Sequence, residues 1–403
     1  MTRLYYGWVM LLGVSFTEMI SWGVLYYAFT VFVKPMQAAL GWSTAELTGA
    51  FSLALLCSAA AALPVGSLID RYGTRWLMTA GSCAAALLVL AWAMVKNVTL
   101  FYLIWVALGI TMATVLYDPA FALVATWFRQ KRARALTILT FIAGFASVIF
   151  VPLAQWLVQV QGWRLALVSL ALILALGTIP LHALLLRRRP EDMDLAPDGI
   201  ALSAAVMSSV DLSREQSVLP QAALKGSAFW GMAAGFALTT LAAGALTVHL
   251  VPYLIDRGYS ASFAASMVGL IGLMSLPGRL VFTMLGERVS RRLVTALLCV
   301  LQAISLPVLL VAPGVGGVFG FVALFGASFG AITPARAALV ADHYGSKHYA
   351  KINSVLGLFI TGARAIAPVG AGLFYDLLGG YSLIFWALAG LSALAAGAIL
   401  LVG

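Results

Sequence analysis

The chain has 403 residues, of which 63% are hydrophobic and only 9% are charged. Soluble globular proteins carry about 25% charged residues, so this composition excludes an ordinary soluble domain and indicates an integral membrane protein. The net charge of +10 would suit a nucleic-acid-binding protein, but the basic residues lie in short loops beside apolar runs, where they set membrane topology. We therefore expect the lipid bilayer as a partner and no nucleic acid.

Apolar runs long enough to cross a bilayer, which takes about 20 helical residues, follow one another along the whole chain. The first run is too long for the core of a cleaved signal peptide, so we expect it to remain in the protein. The sequence predicts an all-α membrane protein with twelve transmembrane helices, at about 6–33, 47–69, 76–95, 99–127, 136–160, 164–186, 227–254, 260–285, 293–312, 316–340, 352–375 and 381–402.

A short charged turn separates the second and third predicted spans and has the pattern G-x-L-x-D-R-x-G-x-R, beginning at Gly66. Gly66 permits the close approach of a neighbouring helix, Asp70 suits a helix terminus or an arginine partner, and Gly73 permits a tight turn. Arg71 and Arg75 mark the side of the membrane that stays in the cytoplasm. The ordered glycines and the aspartate distinguish this turn from an arbitrary basic loop.

The basic residues of the predicted loops are distributed unevenly between the two sides of the membrane. Most lie on the side that both termini share, whereas the opposite side holds Lys34, Lys96, Arg164 and Arg257. Because short cytoplasmic loops carry the excess of Lys and Arg, we expect both termini in the cytoplasm.

The longest polar stretch, residues 187–226, separates six predicted spans from six others. We therefore predict an N-terminal six-helix bundle over 1–186, a cytoplasmic linker over 187–226 and a C-terminal six-helix bundle over 227–403. Within the linker, residues 200–223 mix apolar and polar side chains, and both an interfacial helix and an irregular connection fit that composition.

The two halves repeat each other's pattern. A shift of 217 residues lays Asp70 and Arg71 on Glu287 and Arg288. This register indicates two pseudo-symmetric bundles related by an axis along the membrane normal.

Five ionisable residues fall within predicted spans: Glu18, Asp118, Arg279, Arg336 and Arg364. Each costs about 2.5 to 3.5 kcal/mol on membrane-insertion scales, so we expect these side chains to face a polar cavity, to pair with one another, or both. Such a pattern favours a transport pathway over a purely structural set of spans.

Each of these residues also has a structural interpretation. Arg279 and Arg336 lie toward the cytoplasmic ends of their spans, from which a long side chain can reach the interface. Asp118 precedes Pro119 and can bond the backbone groups that a proline leaves unpaired. Glu18 can be a hydrogen-bonding residue within its helix.

The charged turn at residues 66–75 resembles the loop signature of the major facilitator superfamily, which joins the second and third transmembrane helices at the cytoplasmic face. Other segments resemble the monocarboxylate transporter family and its bacterial relatives, including oxalate:formate antiporters. These segments are Tyr5-Tyr6-Gly7-Trp8, Gly41-Trp42-Ser43, Trp127-Phe128 with Arg132 and Ala135-Leu136, Arg189-Pro190-Glu191-Asp192 and Gly278-Arg279-Leu280.

The resemblance implies the major facilitator fold and a secondary transporter of small organic anions, with carboxylates as substrates, protons as the coupling ion and symport as the mode. In that group an arginine at the position of Arg279 is tied to carboxylate substrates, and Arg364 resembles a second basic residue of the oxalate carriers. The pattern of those carriers lacks Glu18 and Asp118, and this departure leaves the identity of the carboxylate open. We expect a monomer in the bacterial inner membrane, without cofactor or metal.

Aromatic residues on spans one, four and five, which border the cavity in this superfamily, are candidates for the apolar part of the substrate site. Each has the alternative of packing or facing lipid, which is commoner for aromatics on membrane helices. The candidates are Tyr26, Tyr27, Tyr117 and Phe145.

For proton coupling, the sequence favours Asp118, with Arg336 as its partner across the pathway and Glu18 as the alternative proton site. The sequence also predicts a cytoplasmic gate. In it, the charged turn and its counterpart in the second half, Glu287 and Arg288, hold the two halves together while the cytoplasmic side is closed. The gate residues are Gly66, Asp70, Arg71, Gly73, Arg75, Glu287 and Arg288.

Two alternatives to an anion transporter are an efflux carrier for drugs or other amphipathic compounds and a membrane sensor that does not transport. The efflux alternative is disfavoured because no G-x-x-x-G-P stretch follows Gly144 in span five. An enzyme is disfavoured because the four histidines are scattered and no metal, nucleophile or phosphate-binding motif is present.

Overall fold

The computed structural model describes residues 5–128, 130–199, 220–286, 288–344 and 349–402. Within these ranges the regular structure is helical throughout and includes no strand. A π-helix over Gly23–Tyr27 and two short 3-10 helices, Pro190–Met193 and Pro197–Gly199, add to the α-helices. The α-helices are α1 (Tyr6–Trp22), α2 (Phe29–Leu40), α3 (Thr44–Tyr72), α4 (Thr74–Ala93), α5 (Val98–Val115), α6 (Tyr117–Trp127), α7 (Arg132–Ala143), α8 (Ala146–Leu185), α9 (Pro220–Lys225), α10 (Ser227–Asp256), α11 (Ala261–Leu285), α12 (Arg291–Val311), α13 (Gly314–Tyr344), α14 (Tyr349–Leu378) and α15 (Ser382–Leu400).

Eleven helical segments of the described chain are long and apolar enough to cross a bilayer. One of them, Arg134–Leu185, has 52 residues, more than twice the about 20 residues that one crossing needs. Gly162 interrupts it with φ 76° and ψ 163°, a conformation that glycine adopts without the strain a Cβ would bring. This segment therefore makes two passes, and the predicted all-α membrane fold is confirmed.

The described residues form two compact units. Unit 1 takes its residues from Met1–Trp42 and Leu53–Asp211, and unit 2 from Ser43–Ser52 and Leu212–Gly403. The single helix α3 is thus divided, because its first part packs with unit 2 and the remainder with unit 1.

Unit 1 is held together at the start of α1 by the Tyr5-Tyr6 pair. The Tyr5 hydroxyl donates to the carbonyl oxygen of Trp127 at 3.0 Å, and the Tyr6 hydroxyl donates to that of Leu185 at 2.7 Å. Burial, with the nearby charge of Asp198, raises the pKa of Tyr5 to about 12, so the hydroxyl stays a donor at physiological pH. These contacts fix α1 against the ends of α6 and α8.

A buried histidine links three helices of unit 1. His182 on α8 lies 2.8 Å from Thr17 of α1 through Nε2 and 2.9 Å from Ser82 of α4 through Nδ1. Because the Thr17 hydroxyl donates to the Val14 carbonyl, it accepts from the Nε2–H, and Ser82 then donates to Nδ1. The ring therefore has a packing role that satisfies both of its nitrogens.

Close helix packing organises unit 2. α11 and α13 approach each other through glycines, since a Cβ added to Gly278 would collide with the backbone of Ala327, and one added to Gly330 with the backbone of Ser275. The approach brings the α13 backbone within reach of side chains on α11.

Three predicted features lie outside the described residues. The first is most of the stretch at 200–223, for which the sequence allows either an interfacial helix or an irregular connection. The others are Glu287 and the side chain of Asp70.

Candidate functional site

The centre of the candidate site in unit 1 is Glu18. It lies on α1 about 18 Å along the helix axis from Tyr6, so it sits well inside the membrane-spanning part. The side chain is fully buried, and Oε2 accepts a hydrogen bond from Trp22 Nε1 at 3.1 Å. Oε1 is buried and has no hydrogen-bond partner among the described residues. An ionised carboxyl group at such a place is costly, so this is an unusual position for a side chain with no more than a structural role.

Immediately after Trp22 the α-helix widens into a π-helix over Gly23–Tyr27, closed by the hydrogen bond from the Ala28 amide to the Gly23 carbonyl at 2.8 Å. A Cβ at Gly23 would collide with the ring of Phe150 on α8, so the chain needs glycine at this contact. Single-turn π-helices inside α-helices occur frequently at functional sites.

The π-helix gathers aromatic rings around Trp22. The Trp22 ring lies 5.3 Å from Tyr26, 6.4 Å from Tyr27 and 4.9 Å from Tyr117, measured between ring centroids. Tyr117 in turn stacks on Phe121 at 5.0 Å. Three of the four aromatic candidates from the sequence, Tyr26, Tyr27 and Tyr117, therefore belong to one cluster.

Phe145 does not contact that cluster through its ring. It lies at the junction between α7 and α8, where its ring meets Phe141 at a centroid distance of 5.6 Å. Phe150, five residues further along the chain, is the residue that contacts Gly23 of the π-helix.

Asp118 follows a break in the fourth predicted span. Leu116 is extended, with φ −96° and ψ −161°, and separates α5 from α6. Asp118 then lies in the first turn of α6, where a carboxylate is favoured by the helix dipole, and its side chain is exposed. Tyr117, the residue before Asp118, packs against Trp22, which donates to Glu18. The structure thus brings the two predicted proton sites into one neighbourhood of unit 1.

In unit 2, Arg279 is held by the tight contact between α11 and α13. Its Nε donates to the carbonyl oxygen of Gly330 at 3.2 Å, and the side chain is half-buried. Gly278, the preceding residue, allows the close approach on which that hydrogen bond depends. A guanidinium is planar, and its N–H groups suit the two oxygens of a carboxylate.

The other two candidate arginines of unit 2 lie on different helices. Arg336 is on α13, about 9 Å along the axis from Gly330, and is half-buried. Arg364 lies midway along α14 with an exposed side chain. Three positively charged side chains therefore come from α11, α13 and α14 of one unit.

The charged turn at the end of α3 is tied to the beginning of the central linker. Gly73, with φ 79°, directly precedes α4, and the Arg188 side chain lies against it. Arg188 also donates through Nη2 to the carbonyl oxygen of Arg71 at 2.8 Å. Arg75 donates through Nε to the carbonyl oxygen of Ala183 at 2.9 Å. These contacts join the turn to the end of α8 within unit 1.

The close helix approach expected at Gly66 is not seen. A Cβ added there would meet no described atom within 4 Å, and the role of Gly66 in the gate stays a prediction. Arg288, which corresponds to Arg71 in the second half of the chain, is exposed.

Sequence reasoning missed Trp22, Asp198 and Asp376. Trp22 is one helical turn from Glu18, so the spacing i to i+4 could have identified it as a partner. Asp198 accepts from the backbone amides of Gln130 and Lys131, and Asp376 accepts from those of Thr44 and Ala45. No local pattern signals these last two, since their partners are remote in the sequence.

No group of three or more His, Cys, Asp or Glu side chains suited to a metal ion occurs among the described residues. The cysteines Cys57, Cys83 and Cys299 are free thiols.

Comparison with known proteins gives consistent matches over the whole chain. A family model described as Major Facilitator Superfamily matches residues 11–321 and 280–403. The chain is 27% identical over 371 residues to the uncharacterized MFS-type transporter YcxA of Bacillus subtilis (strain 168), covering 89% of this chain and 86% of that protein. It is 25% identical over 407 residues to monocarboxylate transporter 13 of Rattus norvegicus, covering 99% and 87%.

Among solved structures, a bacterial homologue of the human lysosomal transporter Spinster matches with a TM-score of 0.72 at 17% identity, covering 98% of this chain and 93% of that chain. At this level of identity the likeness shows a shared fold.

Proposed function

The chain belongs to the major facilitator superfamily, and we propose that it is a secondary transporter that moves small organic anions by proton-coupled alternating access. It is a multi-pass membrane transporter and not an enzyme, like the relatives that it matches. The substrate class proposed here is carboxylates. The proposed location is a bacterial inner membrane, with both termini in the cytoplasm, as the distribution of basic loop residues favours.

The observation that carries the substrate class is the set of arginines on the spans of unit 2. Arg279 supports it most directly, because the Gly330 carbonyl holds its guanidinium through Nε at 3.2 Å. A planar guanidinium binds a carboxylate through two parallel hydrogen bonds, and these bonds are stronger where little water competes. Arg364, exposed midway along a membrane helix, is the second proposed contact. The similarity to a monocarboxylate transporter agrees with this proposal.

A binding screen tests the substrate class. Purified protein is heated with acetate, lactate, pyruvate or oxalate and, as matched controls, with the uncharged amides of the same acids. Ligands of the folded state raise its apparent melting temperature, so at least one carboxylate should raise it and its amide should not. Arg279→Lys keeps the charge but loses the planar fork, and we expect it to weaken binding about tenfold or more.

Arg257→Lys is the control, because Arg257 lies at the end of α10, over the Tyr253 ring at 5.8 Å. Binding that is unchanged in both Arg279→Lys and Arg364→Ala would overturn the substrate proposal. Stabilisation by amphipathic drugs in place of carboxylates would favour efflux, and binding without uptake into proteoliposomes would favour a sensor.

For coupling, we propose that the proton is carried by the two carboxyl groups of unit 1. The side chain of Glu18 is fully buried with an unpartnered Oε1 in the described structure, whereas Asp118 is exposed at the first turn of α6. Burial without a counter-ion favours the neutral form of a carboxyl group, so Glu18 is the member that would hold the proton in this conformation. Asp118, with Arg336 as its proposed partner, would exchange protons with water.

A further inference from the structure

Trp22 makes two contacts that bear on the proposed proton site. Its indole Nε1 donates to Glu18 Oε2 at 3.1 Å, and its ring packs against Tyr117, the residue before Asp118, at 4.9 Å between centroids. Trp22 therefore contacts Glu18 directly and also contacts the residue next to Asp118.

The position of Trp22 is fixed from two directions. It lies four residues after Glu18 on α1, which places both side chains on the same face of the helix. The π-helix begins at the next residue, Gly23, where the Phe150 ring occupies the space that a Cβ would need. The backbone directly after Trp22 is thus packed against α8.

The indole N–H is a donor only, so it can bond Glu18 in either protonation state. A hydrogen bond to an ionised acceptor is roughly twice as strong as one to a neutral acceptor. The contact therefore stabilises the carboxylate more than the acid and eases release of the proton.

The titratable groups nearest Trp22 are the tyrosines of its aromatic cluster, Tyr26, Tyr27 and Tyr117. On the elements packed against α1, Asp118 of α6 follows Tyr117, whose ring contacts Trp22, and His182 of α8 bonds Thr17. Arg134 of α7 lies over the Trp8 ring, near the beginning of α1.

We propose that Trp22 is a positioning residue of the proton site, whose N–H holds the Glu18 carboxyl group and tunes the release of its proton. This proposal depends on the proposed role of Glu18 as a proton carrier. Through the ring contact with Tyr117, a movement of α6 would shift the indole and so change its hold on Glu18.

The test uses the full-length protein in lipid nanodiscs and needs no substrate. A protonated carboxyl group has a C=O stretching band in the infrared, and the band moves to lower frequency when the oxygen accepts a hydrogen bond. Glu18→Gln identifies the band by removing it from pH-difference spectra. In Trp22→Phe, which keeps a ring but loses the N–H, the band should move to higher frequency. Its pH midpoint should move upward by about one unit.

Trp230→Phe is the matched control, because Trp230 in unit 2 also donates its indole N–H, to the carbonyl oxygen of Leu224 at 3.0 Å. It should leave the band and its midpoint as in the wild type. If Trp22→Phe does not fold, replacement of Trp22 by benzothienylalanine keeps the size of the bicyclic ring and substitutes sulfur for the N–H.

The outcomes separate the two proposals. If the band survives in Glu18→Gln, Glu18 is not the proton carrier and the proposed coupling fails at that residue. If the band is lost in Glu18→Gln but keeps its wild-type frequency and midpoint in both Trp22 variants, the role of Trp22 is overturned while that of Glu18 stands.

Discussion

The carboxyl groups of Glu18 and Asp118 differ in burial, and that difference predicts different roles. Glu18→Gln should abolish accumulation driven by a pH gradient while exchange of substrate across the membrane continues, because the neutral amide mimics the protonated acid. Asp118→Asn should retain part of the accumulation, since its exposed side chain is reachable by water. The measurement is uptake into proteoliposomes with and without a pH gradient, using the carboxylate identified by the binding screen.

Glu191→Gln in the central linker is a suitable control, because it makes the same change of Glu to Gln at an exposed position outside the spans. Normal accumulation by Glu18→Gln together with loss in Asp118→Asn would return the role to Asp118, which the sequence alone favours. Normal accumulation in both variants would remove these residues from coupling altogether.

At the scale of single residues, the sequence identifies candidate functional residues better than it identifies their hydrogen-bond partners. Ionisable residues in apolar runs are conspicuous because they are costly there, and Glu18, Asp118 and Arg279 were found for that reason. The acceptor for Arg279 is a backbone carbonyl on another helix, at Gly330, and no side-chain pattern indicates it. The predicted partnership of Asp118 with Arg336 stays a prediction.

At the scale of elements, the close packing of α11 against α13 positions Arg279 of the proposed substrate site. Gly330→Ala places a methyl group against the backbone of Ser275 and must displace α13, whose Gly330 carbonyl holds Arg279. We expect a loss of about 1 to 3 kcal/mol in stability, as for other overpacked positions, together with weaker carboxylate binding. Thermal unfolding and the binding screen measure the two effects.

Gly357→Ala on α14 is the matched control, because an added Cβ there meets no described atom within 4 Å. Alanine is the better helix former, so this variant should be unchanged or slightly more stable. If Gly330→Ala behaved like Gly357→Ala in both measurements, the link between helix packing and Arg279 would be wrong.

The beginning of α3 is capped by a side chain of α14, also within unit 2. The Asp376 carboxylate accepts from the backbone amides of Thr44 at 3.3 Å and Ala45 at 2.9 Å, and so caps the N-terminus of that helix from α14. Asp376→Asn should cost about 0.5 to 2 kcal/mol and increase hydrogen exchange over residues 43–52. Asp342→Asn is the control, since its ion pair with Arg291 is exposed and contributes little. Unchanged exchange in Asp376→Asn would exclude the capping role.

At the scale of elements, hydropathy predicts where helices occur but not how they deviate from regularity. The π-helix at Gly23–Tyr27 and the break at Leu116 both lie inside runs that read as uninterrupted spans. The grouping of Ser43–Ser52 with unit 2 depends on contacts with α14, such as the Val369 amide donating to Ser52 Oγ at 3.1 Å. These features come from tertiary packing, which overrides local helical preference.

For the whole molecule, the sequence predicts the membrane fold because the bilayer allows few kinds of backbone structure. Backbone groups in lipid must be bonded within the chain, so long apolar runs form helices. Orientation depends instead on loop charges, and the excess of basic residues on one side predicts cytoplasmic termini. That expectation is independent of substrate and of coupling.

Cysteine labelling tests this orientation directly. With Cys57, Cys83 and Cys299 replaced by alanine, single cysteines are introduced at Ala38, near the predicted outer loop that follows Lys34, and at Glu191 in the central linker. Both positions are exposed. A maleimide that cannot cross membranes should label Ala38→Cys in intact cells, but should label Glu191→Cys only after the membrane is permeabilised. Labelling of Glu191→Cys alone in intact cells would show the opposite orientation. The charged turn, with Arg71 and Arg75, would then lie on the outer face.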